Sequence, residues 1–332
     1  VFGQTRTALI INLLVLVLTL WLFSLIVQWA VLSAVGPWQD PMLCQQAQGA
    51  CWPFLTEKLP LILFGTFPYD ERWRPLLVSL SLIVMSSATL FQWCSWRWQA
   101  FGWSASLALF AVLMGGGSFG LPAVATAQWN GLPVLLFLGT VSLAAALPVG
   151  LFLALGRYAK SPWLHWPCTV FIETLRGIPM VAVLFFGVFV LPLLLGGFKL
   201  SAIYAALIVL VFFHGAYIAE DLRSGLQSVG KGQWEGSDSL GLKPWQTLRF
   251  VVLPQAIKAA TPALTNTAIG GFKDTSLIVL VGLHDMVSTA RMAFSDASWR
   301  AQALEAYVFV GAVFFILNGV IAVAGRRLEK TM

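Results

Sequence analysis

The sequence predicts an all-α polytopic membrane protein with about eight transmembrane helices of roughly 20 residues each. Three observations carry that expectation. Hydrophobic residues make up 58% of the 332-residue chain and charged residues only 10%, where soluble domains carry about 25%. Mean hydropathy is +0.82. The apolar residues gather in long runs of Leu, Val and Ala without the period-two alternation of a membrane β-barrel. Backbone polar groups inside lipid must be satisfied within their own segment, so such runs fold as helices.

Eight apolar segments follow one another, at 7–35, 75–92, 101–114, 131–156, 177–196, 201–221, 254–282 and 303–324. The first is too long for a signal-peptide core, although the chain begins at Val1 without a methionine, and reads as a retained helix. The seventh contains Pro262, Gly270 and Gly271. The run "GGGSFGLPAVATAQWNGLP" at 115–133 reads as a linker. It separates an amino-terminal extension of three helices, 1–130 with an external loop at 36–74, from a five-helix core at 131–325 and a short tail at 326–332. No short internal repeat is evident.

Basic residues orient the bundle. With a cytoplasmic amino terminus, the inner segments carry Arg6, Arg97, Arg157, Lys160, Arg176, Arg223, Lys231, Lys243, Arg249, Lys258, Arg326, Arg327 and Lys330. The outer ones carry Lys58, Arg72, Arg74, Lys199, Arg291 and Arg300. The excess on one side places both termini in the cytoplasm. Arg72 and Arg74 in "YDERWRP" run against the rule. The net charge of +6 is accounted for by these loop residues, with no basic stripe that would suit nucleic acid. The tryptophans, among them Trp93, Trp96, Trp98 and Trp103, suit an interfacial belt.

The four cysteines and three histidines show no metal-ligand or redox spacing, so no metal site is expected. Cys44 and Cys51 share the first external loop. Either they form a disulfide, which an oxidising periplasm permits, or they remain free and packed.

The longest inner loop, 222–253, is polar and glycine-bearing. Within it, "GQWEGSDSLGL" reads as a short helix stopped at Gly241. "PWQTLRFVVL" restarts at Pro244, a residue suited to a helix's first turn. Pro254 then opens the next span. Trp234, Leu240, Leu242 and Trp245 give this helix–turn–helix apolar contacts. It is either a rigid projection offered to a soluble partner or a connector lying on the membrane surface.

Glu235, then Gly241, then Leu253-Pro254, resembles the "EAA" loop of ATP-binding-cassette importer permeases. "FIETLRGIPM" (171–180) and the text of 215–277 are similar to the polar amino-acid uptake branch. The likeness covers about 131–325, and the extension with "FPYDERWRP" resembles the longer general L-amino-acid permeases. The resemblance implies a type I importer permease that translocates amino acids across the bacterial inner membrane. Its coupling residues would be Glu235, Gly236, Ser237, Leu240, Gly241, Leu253 and Pro254. It further implies no catalytic site or cofactor of its own, ATP and Mg on a separate ATPase, and four further partners. These are a second permease, identical or homologous, two ATPase subunits and a periplasmic amino-acid-binding protein. Gly236 and Ser237 stand where two alanines are usual, and Gly230 where proline is common. A glycine inside a helix costs about 1 kcal/mol relative to alanine, so a shorter or looser coupling helix is expected.

"GLQSVGKG" (225–232) imitates a phosphate-binding loop, but Gly232 replaces the Ser or Thr that would hold magnesium, and a membrane helix precedes it instead of a strand.

Polar residues in membrane helices face cavities or partners. "GGFKDTSL" (270–277) offers Lys273, Asp274, Thr275 and Ser276, with Gly270 and Gly271 permitting a helix break. Opposite charges and hydroxyls match a zwitterion, or Lys273 and Asp274 form an internal pair, or Lys273 snorkels. Glu173 and Arg176, three apart, pair on one helix face, with substrate contact the alternative. Glu220 and Asp221 close the sixth span beside Arg223, and His214 reads as a packed histidine. An ion-coupled secondary transporter would need ion sites in one chain, for which the intramembrane carboxylates are few. A membrane-embedded enzyme lacks a histidine–carboxylate or metal constellation.

Overall fold

The computed structural model describes residues 6–159, 161–197 and 200–331. Lys160 and Lys199, which entered the charge asymmetry, lie outside the described residues. In chain order the helices are α1 (Arg6–Val27), α2 (Pro53–Phe64), α3 (Trp73–Leu90), α4 (Trp96–Gly115), α5 (Leu132–Tyr158), α6 (Pro162–Gly177), α7 (Met180–Phe185), α8 (Leu191–Leu194), α9 (Ala202–Ser228), α10 (Lys231–Ser239), α11 (Pro244–Thr247), α12 (Leu253–Asp274), α13 (Met286–Ser295) and α14 (Ala303–Thr331). No named β-strand occurs among the described residues, whose one isolated bridge joins Val35 and Cys51.

Six helices are long and apolar enough to cross a membrane. Two bent pairs raise the number to eight if each is one span: 162–177 with 180–194, bent by 111°, and 244–281 with 286–295, bent by 53°. The eight apolar segments of the sequence correspond to these. The sequence marks a helix only around Glu173 and Arg176, and α6 begins well before them. Ser161-Pro162 starts it, with Pro162 in the first turn, and Gly177-Ile178-Pro179 ends it. The sixth span also runs farther than its apolar stretch, to Ser228, because "DLRSGLQS" keeps helical side-chain spacing beyond the last apolar run.

The chain divides into two compact units, Val1–Ile62 with Ala290–Val310, and Leu63–Thr289 with Gly311–Met332. In the first, the side chains from Leu9 to Ile26 are exposed around the whole circumference of α1. A helix apolar on every side belongs in lipid or against another chain. Cys44 and Cys51 form a disulfide, their Cα atoms 5.5 Å apart. The Cys51 amide donates to Glu305 Oε1 at 2.9 Å. Lys58 bridges Glu57 at 3.2 Å and Asp296 at 3.0 Å, and Trp299 Nε1 donates to Glu57.

The second unit holds the main core. Leu136 and Leu138 of α5, Ile203, Leu210 and Phe213 of α9, and Val78, Leu82, Phe110 and Met114 of α3 and α4 belong to one buried cluster. The rings of Phe110 and Phe137 stack at 4.0 Å. Inside a bilayer such contacts gain through dispersion and close packing, since lipid tails are as apolar as leucine. A second cluster joins α5, α6, α9 and α12 through Leu153, Ile172, Ile218, Leu222 and Ala260.

Arg74 accounts for one of the two exceptions in "YDERWRP". It is fully buried. Its Nε donates to Leu113 O at 2.6 Å and Nη1 to Pro122 O at 3.1 Å, with Glu71 3.5 Å away. It thus satisfies a carbonyl in the last turn of α4. An arginine spent on internal carbonyls is not a loop charge.

Candidate functional site

Two places concentrate the functional side chains. The first is the 229–252 segment between α9 and α12. Gly230 caps α10, which runs through Gly232 and Gly236 to Ser239. The helix is not interrupted at its glycines: Ser237 is buried, and its hydroxyl donates to Gln233 O at 2.6 Å. Gly241 ends the turn with φ of +75°, a conformation that side chains with a Cβ rarely adopt. The Gly241 amide reaches Asp238 O and the Leu242 amide Ser237 O, which satisfies the carbonyls left free at the helix end. Pro244 opens α11, and the Lys243 amide donates to Gln246 Oε1 at 2.9 Å. A wide turn, Leu248–Val252, runs directly into α12, where Pro254 lies in the first turn.

The loop is rooted on the spans. Trp234 packs against the cluster of Leu226, Val252 and Ala256 and stacks on Tyr158 at 6.0 Å. Gln255 Nε2 donates to Gln233 Oε1 at 3.1 Å. At Gly225 of α9 a Cβ would lie 2.2 Å from Ala256 O of α12, so the two helices meet backbone to backbone there. Of the four apolar residues expected to give the loop contacts, Trp234 packs on the Leu226 cluster and Leu242 is half-buried. Leu240 and Trp245 turn outward, 81% and 55% exposed, beside Phe250 at 61%. Glu235 and Pro254 are exposed as well, and Leu253 is half-buried.

The second place is a cavity of about 590 Å³ bounded by α6, α7, α9 and α12. Arg176, Gly177, Ile178 and Pro179 form one wall at the 111° bend, Phe213, His214 and Tyr217 another, and Asn266, Thr267, Gly270, Gly271 and Asp274 a third. Opposite charges, Arg176 and Asp274, therefore face one space, with Asn266 and Tyr217 as neutral polar groups. Thr267 is committed, donating to Asp221 at 2.6 Å.

Beside the cavity stands a network of charges. Arg157 contacts Glu173 at 2.8 Å and Glu220 at 3.1 Å. Arg176 lies 3.6 Å from Glu220, which also binds Arg223. These contacts tie α5, α6 and α9 together.

Of the six path residues taken from the sequence, Arg176 and Asp274 line the cavity; Lys273, Thr275, Ser276 and Glu173 do not. Thr275 and Ser276 turn their hydroxyls back to Phe272 O and Lys273 O. Lys273 is exposed, and Asp274 meets His214 instead, at 3.5 Å; adjacent residues on a helix point apart. Nor do Glu173 and Arg176 pair with each other: Glu173 is drawn to Arg157 and Arg176 to Glu220, partners on neighbouring helices. The expected break at Gly270 and Gly271 is also absent. The α-helix continues to Asp274 and tightens to 3₁₀ geometry only from Thr275. Gly271 serves packing, since a Cβ there would sit 2.9 Å from Leu143 Cδ2 and 3.1 Å from His214 Cε1. His214, Tyr217, Asn266 and Thr267 were missed as cavity residues. Their signal was present as polar side chains in apolar helices, but which of them share a wall depends on helix packing.

A helical bundle of this kind, with broken spans around a half-polar cavity and a short helical loop held on two spans, defines a membrane permease. Residues 146–332 match the family of binding-protein-dependent transport system inner membrane components, and the chain belongs to that family. It is 37% identical over 316 residues to the inner membrane amino-acid ABC transporter permease protein YhdY of Escherichia coli, spanning 92% of this chain and 84% of that one. It is 28% identical over 400 residues to the glutamate/glutamine/aspartate/asparagine transport system permease protein BztC of Rhodobacter capsulatus, spanning 99% and 91%. Among solved structures, the crystal structure of an amino acid ABC transporter with histidines aligns with 61% of this chain and 92% of that chain, at a TM-score of 0.54 and 27% identity. The fold is accordingly that of a type I importer permease, in a multi-pass inner-membrane protein.

Proposed function

We propose that this chain translocates amino acids across the bacterial inner membrane while a separate ATPase subunit hydrolyses ATP. The observation that carries the coupling part is the 229–252 loop. Its inner face is pinned to α9 and α12 by Trp234, Gln233 and the close approach at Gly225. Its outer face presents Leu240, Trp245 and Phe250 beside Glu235. Exposed large apolar side chains on an otherwise polar loop mark a protein interface. A push on α10 would pass into two long spans through rigid contacts, so nucleotide-driven closure of a partner can move the membrane helices. Bound ATP and Mg belong to that partner. The chain itself supplies no catalytic group.

The cavity supports the cargo assignment. A zwitterionic amino acid needs an acceptor for its ammonium and a donor for its carboxylate, and Asp274 and Arg176 offer these in one space. Residues 131–325 form the permease core. A second permease, identical or homologous, completes the pathway from the other side, two ATPases bind the loops, and a periplasmic binding protein delivers the amino acid. Both termini are cytoplasmic in this reading, and the 36–74 loop with its disulfide is external.

Affinity purification of the intact complex from its membrane tests the assignment. Expected are an ABC ATPase and a permease in the eluate, and loss of the ATPase, but not of membrane insertion, in Glu235→Lys. A chain that purifies without any ATPase while transporting amino acids contradicts it.

A further inference from the structure

His214 is a cavity residue whose chemistry the transport reading leaves unused. It is 2% exposed, on α9, between α5 and α12. Nδ1 lies 3.5 Å from Ser142 Oγ of α5, and Nε2 lies 3.5 Å from Asp274 Oδ2 of α12. Nε2 is buried and has no hydrogen-bond partner. Burying an imidazole edge without a partner costs about 1–3 kcal/mol, and a leucine of similar bulk would avoid that cost. The ring also packs against Gly271, where no Cβ would fit without displacement. The helix has therefore made room for this ring next to this carboxylate.

We propose that His214 is a positioning residue that holds Asp274 for the ammonium group of the transported amino acid, an inference that rests on the cavity being the substrate path. The ring is set between Ser142 Oγ on its Nδ1 edge and Asp274 Oδ2 on its Nε2 edge. At 3.5 Å the Nε2 contact is longer than the usual N–H···O range of 2.7–3.2 Å. The buried ring edge limits where the carboxylate can turn without forming a hydrogen bond to it. Asp274 retains 34% of its side-chain exposure and lines the cavity. A fully formed ion pair would neutralise the carboxylate, and an apolar neighbour would let it rotate. A polar ring edge held at that distance does neither. The same ring ties the position of α12 to α5 and α9, so a shift of α9 would move Asp274 against the ligand.

The test uses the complete complex in proteoliposomes with its binding protein, and the L-amino acid taken up fastest by wild type from a panel of the twenty. Variants are His214→Gln, whose amide nitrogen takes the place of Nε2, His214→Phe, which fills the site without a donor, and His214→Asn, too short to reach Asp274. Each is made alone and with Asp274→Asn, and complex yield is measured throughout. Uptake should fall about ten-fold in His214→Phe and His214→Asn and be largely kept in His214→Gln. In the Asp274→Asn background His214→Phe should add little further loss, because the group it acts through is gone. Should His214→Phe not assemble, His214→Asn carries the comparison. An impaired Asp274→Asn alongside wild-type uptake in His214→Phe or His214→Asn overturns the positioning role alone. So does an equal loss from the histidine change in both backgrounds. Normal assembly and uptake in Asp274→Asn overturns the substrate-path reading beneath it.

Discussion

At the scale of single residues, two side chains show how environment decides the role of a charge. Arg74 was legible as a basic residue but not as a buried one. Its acceptors, Leu113 O and Pro122 O, lie far along the chain, and no local pattern announces them. Arg74→Leu leaves both carbonyls without a donor, at about 1–3 kcal/mol each. The purified protein should melt several degrees lower, and a melting curve unchanged from wild type would show that the bonds contribute nothing. Lys58 and Asp296 behave differently, being near the surface and outside the membrane spans. Burial pulls the Lys58 pKa down, but the hydrogen bonds and charges of Asp296 and Glu57 outweigh it, and the value ends above the ordinary 10.5. The hydrogen bond from Lys58 is the main reason that Asp296 lies below its ordinary 3.8. A raised ammonium contributes fully below 10.5 and loses its contribution as pH climbs through the folded value. A lowered carboxyl contributes fully above 3.8 and loses its contribution as pH falls through its folded value. Hydrogen exchange over α2, corrected for its intrinsic rate, should therefore be unaffected by this bridge between about pH 5 and pH 9. It should show added opening only at the acid and alkaline extremes, and Lys58→Met should abolish that extra dependence. A bridge-dependent transition near neutrality would contradict the assignment.

At the scale of elements, the coupling loop was the most legible part of the chain. Gly241, Pro244 and Pro254 punctuate it as they do in the sequence, because turn chemistry and helix starts are local properties. Gly236 costs helix propensity, but α10 continues across it, with Ser237 buried and Trp234 packed on the spans. The cavity was half legible. Arg176 and Asp274 were found because charges in apolar helices are conspicuous, whereas the partner of each depends on how α5, α9 and α12 lie together. Only the end of helix α6, around Glu173 and Arg176, was legible as helix, because farther back its apolar residues are mixed with His165 and Pro167, a composition that hydropathy does not mark as a span. The root of the coupling loop makes a sharp test. In Gly225→Ala the new Cβ would sit 2.2 Å from the Ala256 carbonyl, so α9 and α12 must part. The ATPase should still bind, since the outward face of α10 is untouched. Its hydrolysis should lose stimulation by the loaded binding protein. Retained stimulation would place the transmission elsewhere.

At the scale of the whole molecule, the number and order of spans followed from hydropathy alone, because lipid leaves the backbone no alternative to helices. What hydropathy could not give was the 111° bend between 162–177 and 180–194, which places Arg176 against the cavity instead of at a loop end. The whole account rests on the energy source. A secondary transporter would carry its ion sites in the spans, whereas this chain directs its exposed contacts to a loop. The decisive measurement is uptake of a labelled amino acid into proteoliposomes holding the purified complex, with the binding protein outside and ATP either enclosed or omitted. Uptake that requires enclosed ATP, stops with a non-hydrolysable analogue and persists when proton and sodium gradients are collapsed is the predicted result. Uptake driven by an imposed ion gradient with no ATP in the lumen would contradict it.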